Sequence, residues 1–401
     1  MNYLKQIYAG LACLLCASLP FENIARIVPN IVLGLLLLLS PFIIKKRDLK
    51  TIITPPKIIV YIFILYLLLR SVFIDDNSLD FKLISKIVAI IPLFIVFSIS
   101  KHKIFILKSF IIGVLLCILI CAYSIIKYVI NTRGFDFSNG DIIYEILIIE
   151  RLYLGFLCAV SFGFSIVIYE QSKFKRVVLF NMLICFLFVG FISARIGLIT
   201  ILFIGVLFLF RLFKFKKAIV GVLAILVLVI SVFQLNDNLK NRFLYAEDTH
   251  DSYFYKLREW EPRVVIWECS YSILKGEHNR FLGDGQLDIK QKLNACYASN
   301  IEKEIRKNWF LERQYNTHNQ FIDILLSYGY VGLFLFLSIF IITFMYSKHR
   351  FQAFILLSVL ILFGLVENFF HRQIGVYIFS LVLIQISWLD INTLKLSNNE
   401  K

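Results

Sequence analysis

Stretches of apolar residues separated by short polar connections recur about twelve times along the chain, each near the twenty residues that carry a helix across a hydrocarbon core of roughly 30 Å. They fall near 4–19, 24–44, 58–74, 83–99, 104–130, 151–169, 177–193, 196–213, 218–235, 318–346, 352–366 and 374–390. The pattern predicts an all-α polytopic membrane protein with about twelve transmembrane helices. The windows 104–130 and 318–346 exceed the required length, which predicts tilt or an extension along the membrane surface. The expected organisation is helices 1–9 over 1–235, a loop domain over 236–317, helices 10–12 over 318–390 and a tail over 391–401.

Composition agrees with that reading. Of 401 residues, 59% are hydrophobic and 17% charged, with a mean hydropathy of +0.79, and no soluble core could hide so much apolar surface. The formal net charge is +15, which in a soluble protein would suggest nucleic acid. Its distribution points to membrane topology instead, with no nucleic-acid partner. Every second connection is basic: KKRDLK (45–50), KHKIFILK (101–108), EQSKFKR (170–176), RLFKFKK (211–217) and SKHR (347–350). The positive-inside rule assigns these to the cytoplasm. FEN (21–23), DDNSLD (75–80), 131–150 and the turn Ser193-Ala194-Arg195 then lie outside, and both termini are cytoplasmic.

The long connection behaves differently from the basic ones. Residues 236–316 hold thirteen Lys or Arg and thirteen Asp or Glu, so the net charge resides in the rest of the chain. Its aromatic residues Phe243, Tyr245, Tyr253, Phe254, Tyr255, Trp260, Trp267, Trp309 and Phe310 suit a small outer domain lying partly in the interface. Lys5 precedes an apolar run without a small-x-small cleavage site, which reads as an uncleaved first helix. Cys13, Cys16, Cys117, Cys121, Cys158 and Cys185 fall in apolar windows as ordinary packing; Cys269 and Cys296 lie in the outer segment and could pair in an oxidising compartment. The polar tail after Asp390 is expected to be disordered.

On this topology several polar residues converge on the outer face. Arg195 sits in FISARIGL, Arg263 opens RVVIW, His318 and Asn319 begin the tenth window, and Glu367 and Arg372 lie in VENFFHRQIG. Each alone has a plain structural reading: an arginine snorkelling at a helix end, Arg263 on an amphipathic helix with Trp267 packing its stem, Glu367 and Arg372 closing a loop as an ion pair. Together, arginines, a histidine and a carboxylate at one membrane face describe a site for an anionic lipid-linked substrate. Thr317-His318-Asn319-Gln320 fits a capping box, with Thr317 the N-cap and His318 the first helical residue. The positive helix end would then hold the imidazole neutral, the form a general base needs, with Glu367 the next candidate base. Asp323, over a hundred degrees around such a helix, is poorly placed to orient His318.

THNQFIDILLSYGYVGL (317–333), RVVIW with FLGDGQ (281–286), and ENFFHRQIG (367–375) resemble the O-antigen ligase and polymerase superfamily over its last helices and large loop, while the first half of the chain is similar mainly in hydropathy. The resemblance implies a metal-independent glycosyltransferase of the GT-C type in the bacterial inner membrane, with a periplasmic large loop and no cofactor. Its donor would be an undecaprenyl-diphosphate-linked glycan and its acceptor lipid A-core in a ligase, or a lipid-linked repeat in a polymerase. By motif, Arg195 and Arg263 would bind the donor diphosphate and His318 would be catalytic, supported by Glu367, Arg372 and Asn319. The chemistry is consistent, because arginine offers a bidentate, permanently charged partner to a diphosphate leaving group and imidazole takes the proton of an attacking hydroxyl. A transporter of the same lipid is the alternative of another class; it would be expected to carry internal repeats and broken helices at mid-membrane.

Overall fold

The computed structural model describes residues 2–73, 78–100, 102–132, 146–235, 259, 261–276 and 278–398, which are helical with no strand among them. The expectations for Asp75-Asp76, most of 131–150, Phe243 to Tyr255 and Trp260 lie outside the described residues. So do the side chains after Leu389. The chain forms two units. The first contains α1 (Asn2–Ser18), α2 (Val28–Ile43), α7 (Lys103–Thr132), α8 (Arg151–Gln171), α9 (Lys175–Phe191), α10 (Arg195–Leu212), α11 (Phe215–Leu235) and residues 351–363 of α16 (Arg350–Gly364). The second contains α3 (Lys46–Ile52), α4 (Pro55–Val72), α5 (Ser78–Ile87), α6 (Ile90–Ile99), α12 (Pro262–Lys275), α13 (Gln286–Asn300), α14 (Glu304–Arg313), α15 (Gln320–Tyr346) and α17 (Gln373–Asn398).

Among the described residues, seven helical segments are long and apolar enough to cross a membrane: Tyr3–Phe21, Pro55–Val72, Ser78–Ile99, Lys103–Thr132, Arg151–Glu170, Arg195–Leu212 and Gln320–Tyr346. Val28–Ile43, Arg350–Gly364 and Gln373–Leu389 are shorter apolar helices. The chain is thus an all-α multi-pass membrane protein. Helices also occupy the windows 177–193 and 218–235. The window 83–99 begins earlier than its hydropathy suggests, at Ser78, and its helix breaks between Ile87 and Ile90.

In the first unit α8 is the central element, 89% buried over its apolar window. It packs against α7, α9 and α10. Small residues set the α8–α10 approach: a Cβ at Gly197 would meet the Gly155 carbonyl oxygen at 2.8 Å, so the two backbones close where a larger side chain would separate them. Asn181 of α9 donates to Ser165 of α8 at 2.8 Å, satisfying a buried amide away from water.

In the second unit α15 is interrupted at Gly329 (φ 67, ψ −169), a conformation open in practice only to glycine. The break frees backbone groups that would otherwise bond within the helix, and the 280–285 loop takes them up. Asp284 and Gly285 donate to the carbonyls of Leu326 and Ser327 at 3.1 and 3.0 Å, and Tyr330 donates to Arg280 at 2.8 Å. Arg70 of α4 reaches the same loop, donating to the carbonyls of Leu282 and Gly283 at 2.8 and 2.6 Å. FLGDGQ and SYGYVG therefore serve first as two halves of one backbone joint.

Helices α12, α13 and α14 share a core of Val265, Ile266, Ile273, Leu293, Tyr297 and Phe310, closed on α15 by Leu326. Cys269 and Cys296, 27 residues apart, form a disulfide within it. A loop of that length contributes about 3–4 kcal/mol in the chain-entropy account. Cys269→Ser, or a reductant acting on the wild type, is accordingly expected to lower the unfolding temperature and open 262–313 to protease. Identical melting of oxidised and reduced protein would contradict a stabilising bridge.

Candidate active site

The site is built on a three-residue turn, Thr317 to Asn319, that enters α15. Asn319 is the N-cap: its side-chain oxygen accepts from the amides of Phe321 and Ile322 at 3.0 and 3.1 Å, while its amide nitrogen donates to the Leu365 carbonyl at 3.0 Å. The capping-box expectation is therefore corrected. Thr317 is not the cap and His318 is not helical; His318 has φ 42 and lies outside the helix, which begins at Gln320. Asparagine is at least as good an N-cap as threonine, and here it satisfies two amides at once. The expectation of a neutral imidazole rested on a first-turn position, which His318 does not occupy.

The turn is held from every side. The Trp267 indole donates to the Thr317 carbonyl at 3.1 Å, and Asn368 donates to the buried Thr317 hydroxyl at 3.0 Å. Asn316 accepts the His318 amide at 3.1 Å, and Gln320 accepts the amide of Phe370 at 2.9 Å. A left-handed backbone at a non-glycine residue is uncommon and costs strain, and these bonds over-determine it.

The turn presents the His318 ring to Glu367, with Nδ1 to Oε2 at 3.0 Å and the ring of Tyr315 at 5.5 Å. An ionised carboxylate only accepts, so in this pair Nδ1 carries the hydrogen and the neutral ring keeps its lone pair on Nε2. Arg263, near the start of α12, donates from Nε to the Val366 carbonyl at 3.1 Å and pairs through Nη1 with Glu261 at 2.9 Å, while Nη2 lies 3.9 Å from the same Glu367 oxygen. The guanidinium is thus fixed in plane by the loop that carries Glu367. It is an anchored cation, 24% exposed, beside a histidine that is 21% exposed.

Burial pushes the Glu367 carboxyl up, but the hydrogen bond and charge of His318, with Arg263 beyond, outweigh it and hold the group below the ordinary 4.5. A depressed folded value contributes stability that is fully present above the unfolded value and lost as pH falls through the folded one. Wild type should therefore lose stability relative to Glu367→Gln once pH drops below about 4.5, as read by thermal unfolding across pH. Parallel profiles for the two proteins would contradict the pairing.

A second pair lies next to Thr317, whose hydroxyl is 3.5 Å from Asp323 Oδ1. His371 Nε2 is 3.0 Å from Asp323 Oδ2, and Asp323 also accepts from Gln286 at 3.2 Å. Asp323 therefore orients a different histidine. Of the residues singled out from sequence, the fold brings together His318, Glu367 and Arg263, with Asn319 as the cap beneath them. Arg372 follows the 3-10 turn Phe369–His371 immediately before α17. Arg195 opens α10 in the other unit, after Ser193 in a left-handed turn.

With this geometry in view, the comparison with known families is specific. The O-antigen ligase family model matches residues 180–337. That stretch carries Arg195, Arg263, the 280–285 joint and His318. The match is consistent with the O-antigen ligase and polymerase superfamily and supports a ligase- or polymerase-type function with lipid-linked glycan substrates in general. No curated protein matches the chain. Glu367, which orients the ligase-region histidine, comes from outside the matched stretch.

Glu261, Tyr315, Trp267 as a turn clamp and the Asp323–His371 pair are not legible as site residues from spacing. Glu261 stands two residues before Arg263, and that proximity is the signal available for it.

Proposed function

We propose that the chain transfers a glycan from undecaprenyl diphosphate to the hydroxyl of an acceptor, lipid A-core in the ligase reading, at the outer face of the bacterial inner membrane. The observation that carries the proposal is the His318–Glu367 pair, fixed on a braced turn beside an anchored arginine, with His318 and Arg263 in the stretch that resembles the O-antigen ligases. In this reaction the acceptor oxygen attacks the sugar C1, and its proton passes to His318 Nε2. The bond from C1 to the diphosphate oxygen breaks with its electron pair remaining on the diphosphate. Glu367 stabilises the imidazolium that forms, as a carboxylate does behind a catalytic histidine. Arg263 would hold the growing charge of the leaving group, and Arg195 is proposed as a second donor-binding arginine on its motif.

The disulfide supports an oxidising side for α12 and α13, and the basic connections support a cytoplasmic side for the others. Twelve crossings, cytoplasmic termini and a periplasmic loop domain belong to this proposal.

Purified protein offered a lipid-linked donor with core lipid and lipid-linked repeat as competing acceptors tests it. Transfer to core lipid is expected; transfer to the lipid-linked repeat would make the chain a polymerase, and passage of intact donor across the bilayer a transporter. Arg263→Lys keeps a cation but loses the planar fork, so transfer should fall at least tenfold, corresponding to about 1.4 kcal/mol of transition-state binding. Near-normal transfer by the lysine variant would confine Arg263 to bracing the loop.

A further inference from the structure

A cavity of about 250 Å³ opens in the second unit beside the Thr317 turn, and its lining includes Lys82, Lys86, Lys290, Asn316, Asp323 and His371. A space of that size admits several waters or a group of sugar size. Lys82 and Lys86 stand four residues apart on α5, so both project from one helix face; Lys290 comes from α13. Lys86 Nζ donates to the His371 carbonyl at 2.5 Å, which ties the cavity wall to the loop bearing Glu367. Lys82 and Lys290 have no ion-pair partner among the described residues. Asp323 is engaged by His371 and Gln286. Three lysines against the one carboxylate of Asp323 make the cavity lining net positive.

Cations gathered at the end of an apolar span are costly and mark a binding path when they face a cavity and not lipid. On the proposed topology these lysines also lie outside, against the bias that places Lys and Arg in the cytoplasm. Lysines are flexible point charges that suit a phosphate group, whereas arginine binds one through its planar fork.

We propose that this cavity is an anion subsite that holds a phosphoryl substituent of the acceptor, bringing its hydroxyl toward the neighbouring His318 turn. The assignment to the acceptor rests on the transfer reaction proposed above; the anion site itself does not. Phosphate on a sugar and phosphate in a bulk lipid headgroup share the same chemistry, so the experiment separates them.

Full-length protein in nanodiscs of zwitterionic lipid is titrated with glucose 6-phosphate, with glucose as the uncharged comparison, by calorimetry. Wild type should bind the phosphate ester and not glucose. Lys82→Ala/Lys290→Ala should weaken binding at least tenfold. An intact disulfide and unaltered melting serve as the folding control; a double variant that fails it is replaced by Lys82→Gln and Lys290→Gln singly, each expected to weaken binding severalfold. Equal binding by folded variants and wild type, or none by wild type, overturns the subsite. Competition from anionic phospholipid in the nanodisc overturns the acceptor assignment in favour of a headgroup. In transfer assays the double variant should raise the acceptor KM about tenfold while kcat and the donor KM hold; a raised donor KM instead overturns the acceptor assignment. Absence of transfer by wild type would sink the reaction while the calorimetry still decides the anion site.

Discussion

His318→Gln is expected to lower glycan transfer by about 10²–10⁴-fold, the range that a positioned general base contributes. Glutamine keeps a hydrogen-bonding group near Glu367 but cannot take the acceptor's proton. His318 sits at φ 42, braced by Trp267, Asn368 and Asn316 through the residues around it, and most of that bracing goes to backbone groups or to Thr317. The variant should therefore insert, form the disulfide and melt like wild type. Measured transfer within a fewfold of wild type would reduce His318 to a polar contact.

Gly329→Ala should have the largest effect on the fold. The position combines φ 67 with ψ −169, which costs a non-glycine residue about 1–3 kcal/mol by itself. A Cβ there would also overlap the Phe281 carbonyl, so the 280–285 loop must move away. That movement releases the bonds from Asp284, Gly285 and Tyr330, and with them the start of α13 that lines the cavity. The expected result is a large drop in melting temperature with new protease sensitivity at 279–285. Gly10→Ala, where nothing lies within 4 Å inside α1, should leave melting unchanged or slightly raised. If Gly329→Ala melts like Gly10→Ala, the joint does not hold the unit together.

Much of this arrangement is legible in the sequence because membrane helices declare themselves by length and hydropathy. The helix start at 317–320 is less so: a threonine and an asparagine two residues apart are both good caps, and the choice is made by the Leu365 carbonyl that also engages Asn319, 46 residues away in sequence. Residues His318, Glu367 and Arg263 stand out as polar groups near span ends, but their union depends on chain folding over 49 and 104 residues, which spacing does not encode. Cys269 and Cys296 are the two cysteines of the outer segment, so their identity is visible while their oxidation is not. The lysines of α5 are hidden for a different reason. Their span is apolar on average, and only the i,i+4 spacing of Lys82 and Lys86 signals a shared face. The break at Gly329 is likewise hidden, since glycines such as Gly329 and Gly332 in an apolar membrane helix are ordinary.

The most direct test of the account is a single-turnover reaction in which glycan and lipid diphosphate are followed together. Reconstituted wild-type protein, given donor labelled in the glycan and an acceptor lipid, should release one lipid diphosphate for each labelled glycan that appears on the acceptor, and His318→Gln should suppress both products in step. Labelled acceptor formed equally by His318→Gln, or donor that crosses the bilayer intact with the acceptor unlabelled, would contradict it.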